Sequence, residues 1–84
     1  MIYQNCYPAK GRACVCISRD DNGPVHITVT RIIEPPADAA TDRLIDRGRY
    51  IDGAIVWKHQ DGAGVPDHVI ARCVAAALAD WATI

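Results

Sequence analysis

Phenylalanine is absent from this chain of 84 residues, and neither sign of charge is in large excess. Nine Lys and Arg residues stand against ten Asp and Glu residues, which gives a formal net charge of −1. Proteins that bind nucleic acids usually carry a basic excess that displaces counterions from the phosphates. The composition therefore does not favour nucleic-acid binding, and a core without Phe has to be built from Ile, Val, Leu, Tyr and Trp.

Long apolar runs are also missing. The longest, around residues 74–78, is far shorter than the roughly 20 residues that a membrane-spanning helix needs. The N-terminal segment MIYQNCYPAKG lacks the basic region and apolar run of a secretory signal. We therefore expect a soluble cytoplasmic protein with no membrane partner, in which the four cysteines need not form disulfides.

A turn signal, DDNGP at residues 20–24, separates two segments that are rich in β-branched residues. These segments, ACVCIS at 13–18 and VHITVTRII at 25–33, predict the two strands of a hairpin. A two-residue loop would mix apolar and polar side chains on both faces. A three-residue loop, 21–23, separates one strongly apolar face from one mildly apolar face. The preferred register pairs Ile17 with Ile27, Val15 with Val29, Cys16 with Thr28 and Cys14 with Thr30.

Two later segments have helical patterns. EPPADAATDRLIDRG, residues 34–48, predicts a short helix with Pro36 in its first turn and Gly48 as its C-terminal stop. VPDHVIARCVAAALADWATI, residues 65–84, has the clearest helical periodicity in the chain, and Asp67 suits its first turn. The predicted apolar stripe of this second helix consists of Val69, Ile70, Cys73, Val74, Ala77, Leu78 and Trp81.

Between these helices, GAIVWKHQ at residues 53–60 predicts a third strand in which Ile55 and Trp57 alternate with Ala54 and Val56. A strand–helix–strand connection is normally a right-handed crossover that makes the two strands parallel. We therefore predict one α+β domain, residues 1–84, with a small, mostly antiparallel three-stranded sheet in the order 2-1-3. Both helices are expected on one face, and the N-terminal segment could add an edge strand.

The C-x-C pair, Cys14 and Cys16, lies within a predicted strand, so both side chains point the same way, about 6.5 Å apart. That separation is too wide for a disulfide between them without distortion. A closed zinc site needs four ligands, commonly from paired C-x-x-C turns, and only His26 and Cys6 could join the pair. We expect no metal and no other cofactor, and we interpret the pair as small side chains packed in a sheet or an interface.

No set of residues predicts an enzyme. Cys16 and His26 are the thiol and the base that the hairpin register brings near each other, and no third group is placed to orient the imidazole. His59 and Asp61 are residue types that act in general-base catalysis, and so are Asp67 and His68 beyond the next loop. The start of a helix explains Asp67 and His68 better than catalysis does. The intervening glycine-rich loop leads to a helix N-terminus, where anions can bind, but it lacks the lysine of a phosphate loop.

Arg43, Arg47 and Arg49 lie close together beside Tyr50. Arginines next to an aromatic ring can hold RNA or a single strand. Two interleaved aspartates favour a solvated helix surface with local ion pairs instead. A small RNA- or DNA-contacting regulator that uses this region is therefore the alternative function, and nucleic acid is not the expected partner.

The sheet face away from the predicted helices carries mildly apolar side chains such as Cys and Thr, and no predicted element covers it. A mildly apolar patch is typical of an interaction surface, and Val56 would extend it if the third strand joins that face. We expect the occupant to be a protein partner or a second copy of the chain in a homodimer. The predicted contacts are Cys14, Cys16, His26, Thr28 and Thr30.

In size, acidity and α+β build the chain is similar to many small proteins of phages and mobile elements. These include anti-CRISPR inhibitors and antitoxin-like partners, which act by occupying the surface of another protein. The resemblance rests on no specific residues. It implies a small, non-enzymatic binding or inhibitory protein that acts by surface contact.

Overall fold

The computed structural model describes residues 2–21, 23–33, 42–58 and 64–83. Neighbouring strands are antiparallel throughout, and their order across the sheet, β1-β2-β3-β4-β5, is their order along the chain. A helix at the C-terminal end packs on one face of this meander. The elements are β1 (Ile2–Ala9), β2 (Ala13–Asp20), β3 (Val25–Ile33), β4 (Asp42–Ile51), β5 (Ala54–Trp57) and α1 (Asp67–Trp81).

This five-stranded sheet with one described helix corrects the predicted three-stranded sheet in the order 2-1-3 with two helices. Of the segment predicted as a helix, 34–48, the part from residue 42 onward belongs to β4. Residues 34–41 lie outside the described part of the chain. As a strand between β3 and β5, β4 pairs its backbone on both sides, and this pairing outweighs its local helical signals. The strand predicted at 53–60 is confirmed only for 54–57, and it lies beside β4 rather than beside β2.

The β2–β3 hairpin confirms the predicted register. Its turn is closed by a hydrogen bond that the Gly23 N–H donates to the carbonyl of Asp20. The segregation of apolar side chains onto one face is therefore as expected from a three-residue loop. The observed pairs include Ile17 with Ile27, Val15 with Val29, Cys16 with Thr28 and Cys14 with Thr30.

The N-terminal segment forms a full edge strand. β1 pairs with β2 along its whole length, from Ile2 opposite Asp20 to Ala9 opposite Ala13. Pro8 is tolerated because an edge strand leaves one row of backbone groups unpaired. This strand places β2 inside the sheet and decides what lies next to its cysteines.

A two-residue turn, Asp52-Gly53, connects β4 to β5. Both residues have positive φ, 49° and 82°, as a type I′ hairpin turn requires. Asp-Gly is a common sequence for this turn because both residues adopt the left-handed region at low cost. The turn makes β5 antiparallel to β4 and excludes the crossover that the sequence pattern predicted.

The core lies between α1 and the sheet face that it covers. α1 contacts β1 and β2. Its predicted apolar stripe is confirmed: Ile70, Val74, Ala77 and Trp81 are buried, and Val69, Cys73 and Leu78 are half-buried. The strands contribute alternate residues, as expected where one face of a sheet is buried. The buried apolar residues are Ala13, Val15, Ile17, Val25, Ile27, Val29, Val65, Ile70, Val74, Ala77 and Trp81.

Both ends of α1 are held by side chains of the sheet. At its start, Trp57 Nε1 donates a hydrogen bond to Asp67 Oδ1 over 3.1 Å. At its end, the rings of Tyr3 and Trp81 lie 5.7 Å apart, and the Arg19 guanidinium lies 5.5 Å from the centre of the Trp81 ring. These contacts fix which face of the sheet the helix covers.

Candidate docking face

The opposite face of the sheet, which we call the open face, points away from α1. It is formed by alternate residues of all five strands, because successive side chains of a strand point to opposite faces. No described element other than the strands themselves contributes to it. The open face includes Ile2, Cys6, Cys14, Cys16, His26, Thr28, Thr30, Ile45, Arg47, Arg49, Ile51 and Val56.

All five residues that the sequence predicted as partner contacts lie on the open face. Cys14, Cys16, Thr28 and Thr30 are half-buried by their neighbours on adjacent strands, and His26 is exposed. Their position follows from the hairpin register, which the sequence predicted from the segregation of apolar residues. The cysteines therefore point away from the helix, as expected.

The open face also holds exposed aliphatic side chains, of which the sequence pattern pointed only to Val56. Ile2 is 72% exposed, Val56 56%, Ile45 49% and Ile51 46%. These are the large hydrophobic side chains classed as exposed among the described residues, and all four lie on this face. An apolar surface concentrated on one side of a small protein is a feature of binding surfaces.

Cationic side chains lie among these aliphatics on β4 and just after β5. Arg47 is directly opposite Thr28, and Arg49 is directly opposite His26 on one side and Val56 on the other. Lys58 continues the register, since its N–H donates to the Arg47 carbonyl over 2.8 Å. The part of the open face formed by β4 and β5 is therefore both apolar and positively charged.

The arginine cluster is positioned differently from the prediction. Arg43, Arg47, Arg49 and Tyr50 lie on a strand rather than on a helix surface. Tyr50 points to the α1 side and is half-buried, so its ring is not beside the guanidinium groups of the open face. Asp46 lies on the α1 side rather than on a solvated surface: it is 1% exposed, and its Oδ1 accepts a hydrogen bond from the Arg47 N–H over 2.8 Å.

None of the chain's aromatic residues belongs to the open face. The sequence contains three Tyr and two Trp and no Phe, and all five lie within the described residues. Each is half-buried or buried, either on the α1 side of the sheet or in α1 itself. These residues are Tyr3, Tyr7, Tyr50, Trp57 and Trp81.

Sequence reasoning named Cys6 only as a residue that could join Cys14 and Cys16, and it missed the residue with which Cys6 pairs. Cys6 lies directly opposite Cys16, with 4.1 Å between their Cα atoms, and the two form a disulfide. Cys14 is free, and its Sγ lies 3.9 Å from the Sγ of Cys16. The second free cysteine, Cys73, is on α1, where burial, the largest influence, raises the pKa of its thiol. Only the β1 register, which the sequence left open, would have revealed the Cys6–Cys16 pair.

The residues considered for catalysis are not arranged as a catalytic set in the described part of the chain. The Cys16 sulfur is bonded to Cys6 and is not a nucleophile while that bond is intact. His26 is directly opposite Ser18 and therefore diagonal to Cys16, as the predicted register requires. Asp67 accepts the hydrogen bond from Trp57, and His68 is exposed on α1. His59, Asp61 and Gly62 lie outside the described residues.

A separate basic cleft lies at the N-terminal end of α1, near the loop that was considered for anion binding. Lys10, Arg31, His68 and Arg72 line it together with Gly64. A Cβ atom on Gly64 would lie only 3.0 Å from Nη1 of Arg31, so the arginine side chain occupies the space beside this glycine. Anion binding here stays a prediction, which a phosphate titration followed by the NMR shift of the Gly64 amide would test.

Comparison of the chain with protein-family profiles, with curated proteins and with solved structures found no match. In the part of the chain that the structure describes, no helix has the length and apolar character needed to cross a membrane.

Proposed function

We propose that this protein is a non-enzymatic binding module whose open face docks on an acidic surface of a partner protein. The observation that carries the proposal is the position of Ile2, Ile45, Ile51 and Val56, the exposed large aliphatics of the described chain, on that one face. Burial of apolar area is the main favourable contribution to protein association. A partner that covers this face removes all four side chains from water together.

The charge of the open face supports an acidic partner. The part of the face on β4 and just after β5 presents Arg47, Arg49 and Lys58. Among the described residues, the acidic side chain on this face is that of Asp20, at the end of β2. Complementary charge across an interface accelerates association and selects the partner. A second copy docked face to face would bring like charges together, so a different protein fits the face better than a homodimer does.

The position of the aromatic residues favours a protein over a nucleic acid. Surfaces that hold single strands stack bases on aromatic rings, and the open face has none among its described residues. The net charge of −1 also gives little general attraction to phosphates. The cations of the open face, Arg47, Arg49 and Lys58, support the nucleic-acid alternative, which the experiment below distinguishes.

The size of the face suits a full docking site. Five strands that lie about 4.8 Å apart and average roughly 26 Å in length give a projected area on the order of 600 Å². Standard interfaces bury about 800 Å² on each partner. A stable complex would therefore use nearly the whole face, including the predicted contacts on β2 and β3, and would block the partner's covered surface in the manner of an inhibitor.

The test compares charge and size changes on the open face with a matched change elsewhere. Wild-type chain, Arg47→Glu, Val56→Glu and the control Arg72→Glu are immobilised and exposed to a lysate of the cells that produce the protein. Arg72 is exposed on α1, away from the open face. Its replacement by Glu changes the net charge as much as Arg47→Glu does. The captured protein is then purified and titrated against each variant.

We expect a 1:1 complex with wild type and Arg72→Glu, and affinity reduced at least about tenfold by either open-face change, equivalent to roughly 1.4 kcal/mol. Equal capture by all four proteins would contradict the proposal. A dimer of the isolated chain in native mass spectrometry, lost in Arg47→Glu, would replace the partner by a second copy. Salt-sensitive binding of a single-stranded RNA oligonucleotide, lost in the same variant, would establish the alternative.

A further inference from the structure

Three cysteines meet at the β1 edge of the open face, near the middle of the pairing between β1 and β2. The Sγ atoms of Cys6, Cys14 and Cys16 all lie within 4.8 Å of one another. Cys6 is exposed, and the other two are half-buried. This cluster is independent of the basic and apolar half of the open face on β4 and β5.

The cluster results from strand geometry. Cys14 and Cys16 share a face because they are two residues apart on β2, and the register places Cys6 directly opposite Cys16. Three sulfurs are thereby held on two adjacent strands, a rigid support for a set of ligands. Cys73 is on α1 and does not belong to the cluster.

We propose that the three cysteines, with the disulfide reduced, form a binding site for one thiophilic d10 cation of the Zn²⁺ class. Thiolate sulfur is a preferred ligand of such ions, and three protein ligands with an open position are a known zinc arrangement. The open position faces outward from the sheet, toward solvent or a group supplied by a bound partner. The inference goes beyond the proposed docking function and does not depend on it.

The distances fit this coordination. Zn–S bonds are about 2.3 Å long, so sulfurs that share one zinc ion lie about 3.8–4.0 Å apart. Cys14 and Cys16 already have their Sγ atoms 3.9 Å apart. Once the disulfide is reduced, only Cys6 has to move its sulfur away from Cys16, and its exposed side chain has the room to do so.

Metal binding and the disulfide exclude each other. Two small-molecule thiols reduce the Cys6–Cys16 bond to two protein thiols and leave as one small-molecule disulfide. Zn²⁺ then displaces one proton from each of three thiols and leaves a site with one net negative charge. Oxidation by a small-molecule disulfide reverses both steps. The Cys6 and Cys16 thiolates lose two electrons and form their disulfide, and the oxidant takes up these electrons and two protons from water to become two thiols. The zinc ion is released, and the Cys14 thiolate takes up a proton.

The test is a Zn²⁺ titration of the full chain by calorimetry, with native mass spectrometry to count bound ions. Samples are kept anaerobic with a phosphine reductant, and an oxidised sample is titrated without it. Cys14→Ser is the informative variant, because it keeps the Cys6–Cys16 pair and removes one ligand. Cys73→Ser is the matched control, since it removes a thiol outside the cluster.

We expect one Zn²⁺ per reduced chain, no binding to the oxidised chain, and unchanged affinity in Cys73→Ser. In reduced Cys14→Ser the Kd should rise by at least about 100-fold, the upper end of what loss of even an outer-shell contact costs a metal site. Failure of the reduced wild type to bind Zn²⁺, or equal Kd values for wild type and Cys14→Ser, would overturn the proposal. Neither result would affect the docking face, which is tested with variants on β4 and β5.

Discussion

Gly48 of β4 lies directly opposite Trp57 of β5, and the structure leaves no space there for a methyl group. A Cβ atom on Gly48 would lie 2.8 Å from Trp57 Cε3 and 2.9 Å from the carbonyl oxygen of Val56. That oxygen belongs to the paired strand and cannot move without disturbing the ladder. The Trp57 ring is held by its hydrogen bond to Asp67, 3.1 Å long, and cannot move freely either.

The expected cost of Gly48→Ala follows from two opposing effects. Forcing an extra methyl group into a packed site costs about 1–3 kcal/mol. Alanine is better than glycine inside a strand by roughly 0.5–1 kcal/mol, because it loses less backbone entropy on folding. Because one of the blocking atoms is a backbone oxygen, the packing cost should lie in the upper part of its range, about 2–3 kcal/mol. We therefore expect the free energy of unfolding to fall by about 1–2.5 kcal/mol, and the Tm by about 4–20 °C for a domain of this size.

Urea and thermal unfolding of wild type, Gly48→Ala, Trp57→Leu and the double variant measure this effect. Because the smaller leucine leaves room for the methyl group, Gly48→Ala should cost less in the Trp57→Leu background. The coupling between the two changes should be at least about 0.5 kcal/mol, as for residues in contact. A Gly48→Ala protein as stable as wild type, or an equal cost in both backgrounds, would refute this account of β4.

Four further outcomes are expected from unfolding experiments. Ile70→Ala should lower the free energy of unfolding by about 2–5 kcal/mol, since Ile70 is fully buried between α1 and the sheet. Thr28→Glu, which puts a negative charge opposite Arg47 on the face proposed to dock on an acidic surface, should change the free energy of unfolding by less than about 1 kcal/mol while disrupting partner association, and an unfolded variant would mean that the open face is core. Reduction of the Cys6–Cys16 disulfide, which joins residues separated by 10 positions, should lower the stability by about 2–3 kcal/mol, and a Cys6→Ala variant should be insensitive to the reductant. Since burial raises the pKa of Cys73 in the folded chain, the folded state holds that proton more tightly, so this stabilisation is complete below the ordinary thiol pKa, about 8.5, and is lost as the pH rises through the folded value. The free energy of unfolding of wild type should therefore fall more steeply above that pH than that of Cys73→Ala, and equal slopes would contradict it.

The parts of the fold that were predicted correctly have strong local patterns. In the β2–β3 hairpin, one residue of slip would move Val15 and Ile17 to the wrong face, so the apolar pattern selects a single register. In α1, the apolar stripe recurs at the helical period over the whole element. The hairpin register alone placed Cys14, Cys16 and Thr28 on the open face.

β4 was predicted wrongly because its apolar side chains do not alternate toward the core, as those of a strand with one buried face usually do. The α1 side of this strand carries Asp46 and Gly48, a charged residue and a residue without a side chain, whereas Ile45 faces outward. Local pattern reasoning reads Gly48 as the end of a helix, although the Trp57 ring packs against it. The Asp52-Gly53 turn was the available signal, since Asp-Gly between two β-branched or aromatic segments is a strong hairpin indicator.

The sequence by itself determined the hairpin register, the helix at the C-terminal end and the separation of Cys14 and Cys16 from the apolar face. These features depend on side-chain periodicity within one segment or across one short loop. Only the tertiary structure decided that Cys6 meets Cys16, that Trp57 takes the place of a Gly48 side chain, and that the exposed aliphatics and arginines gather on the open face. Those contacts join strands whose pairing depends on which backbone groups and buried surfaces each strand satisfies in its neighbour, and no single segment carries that information.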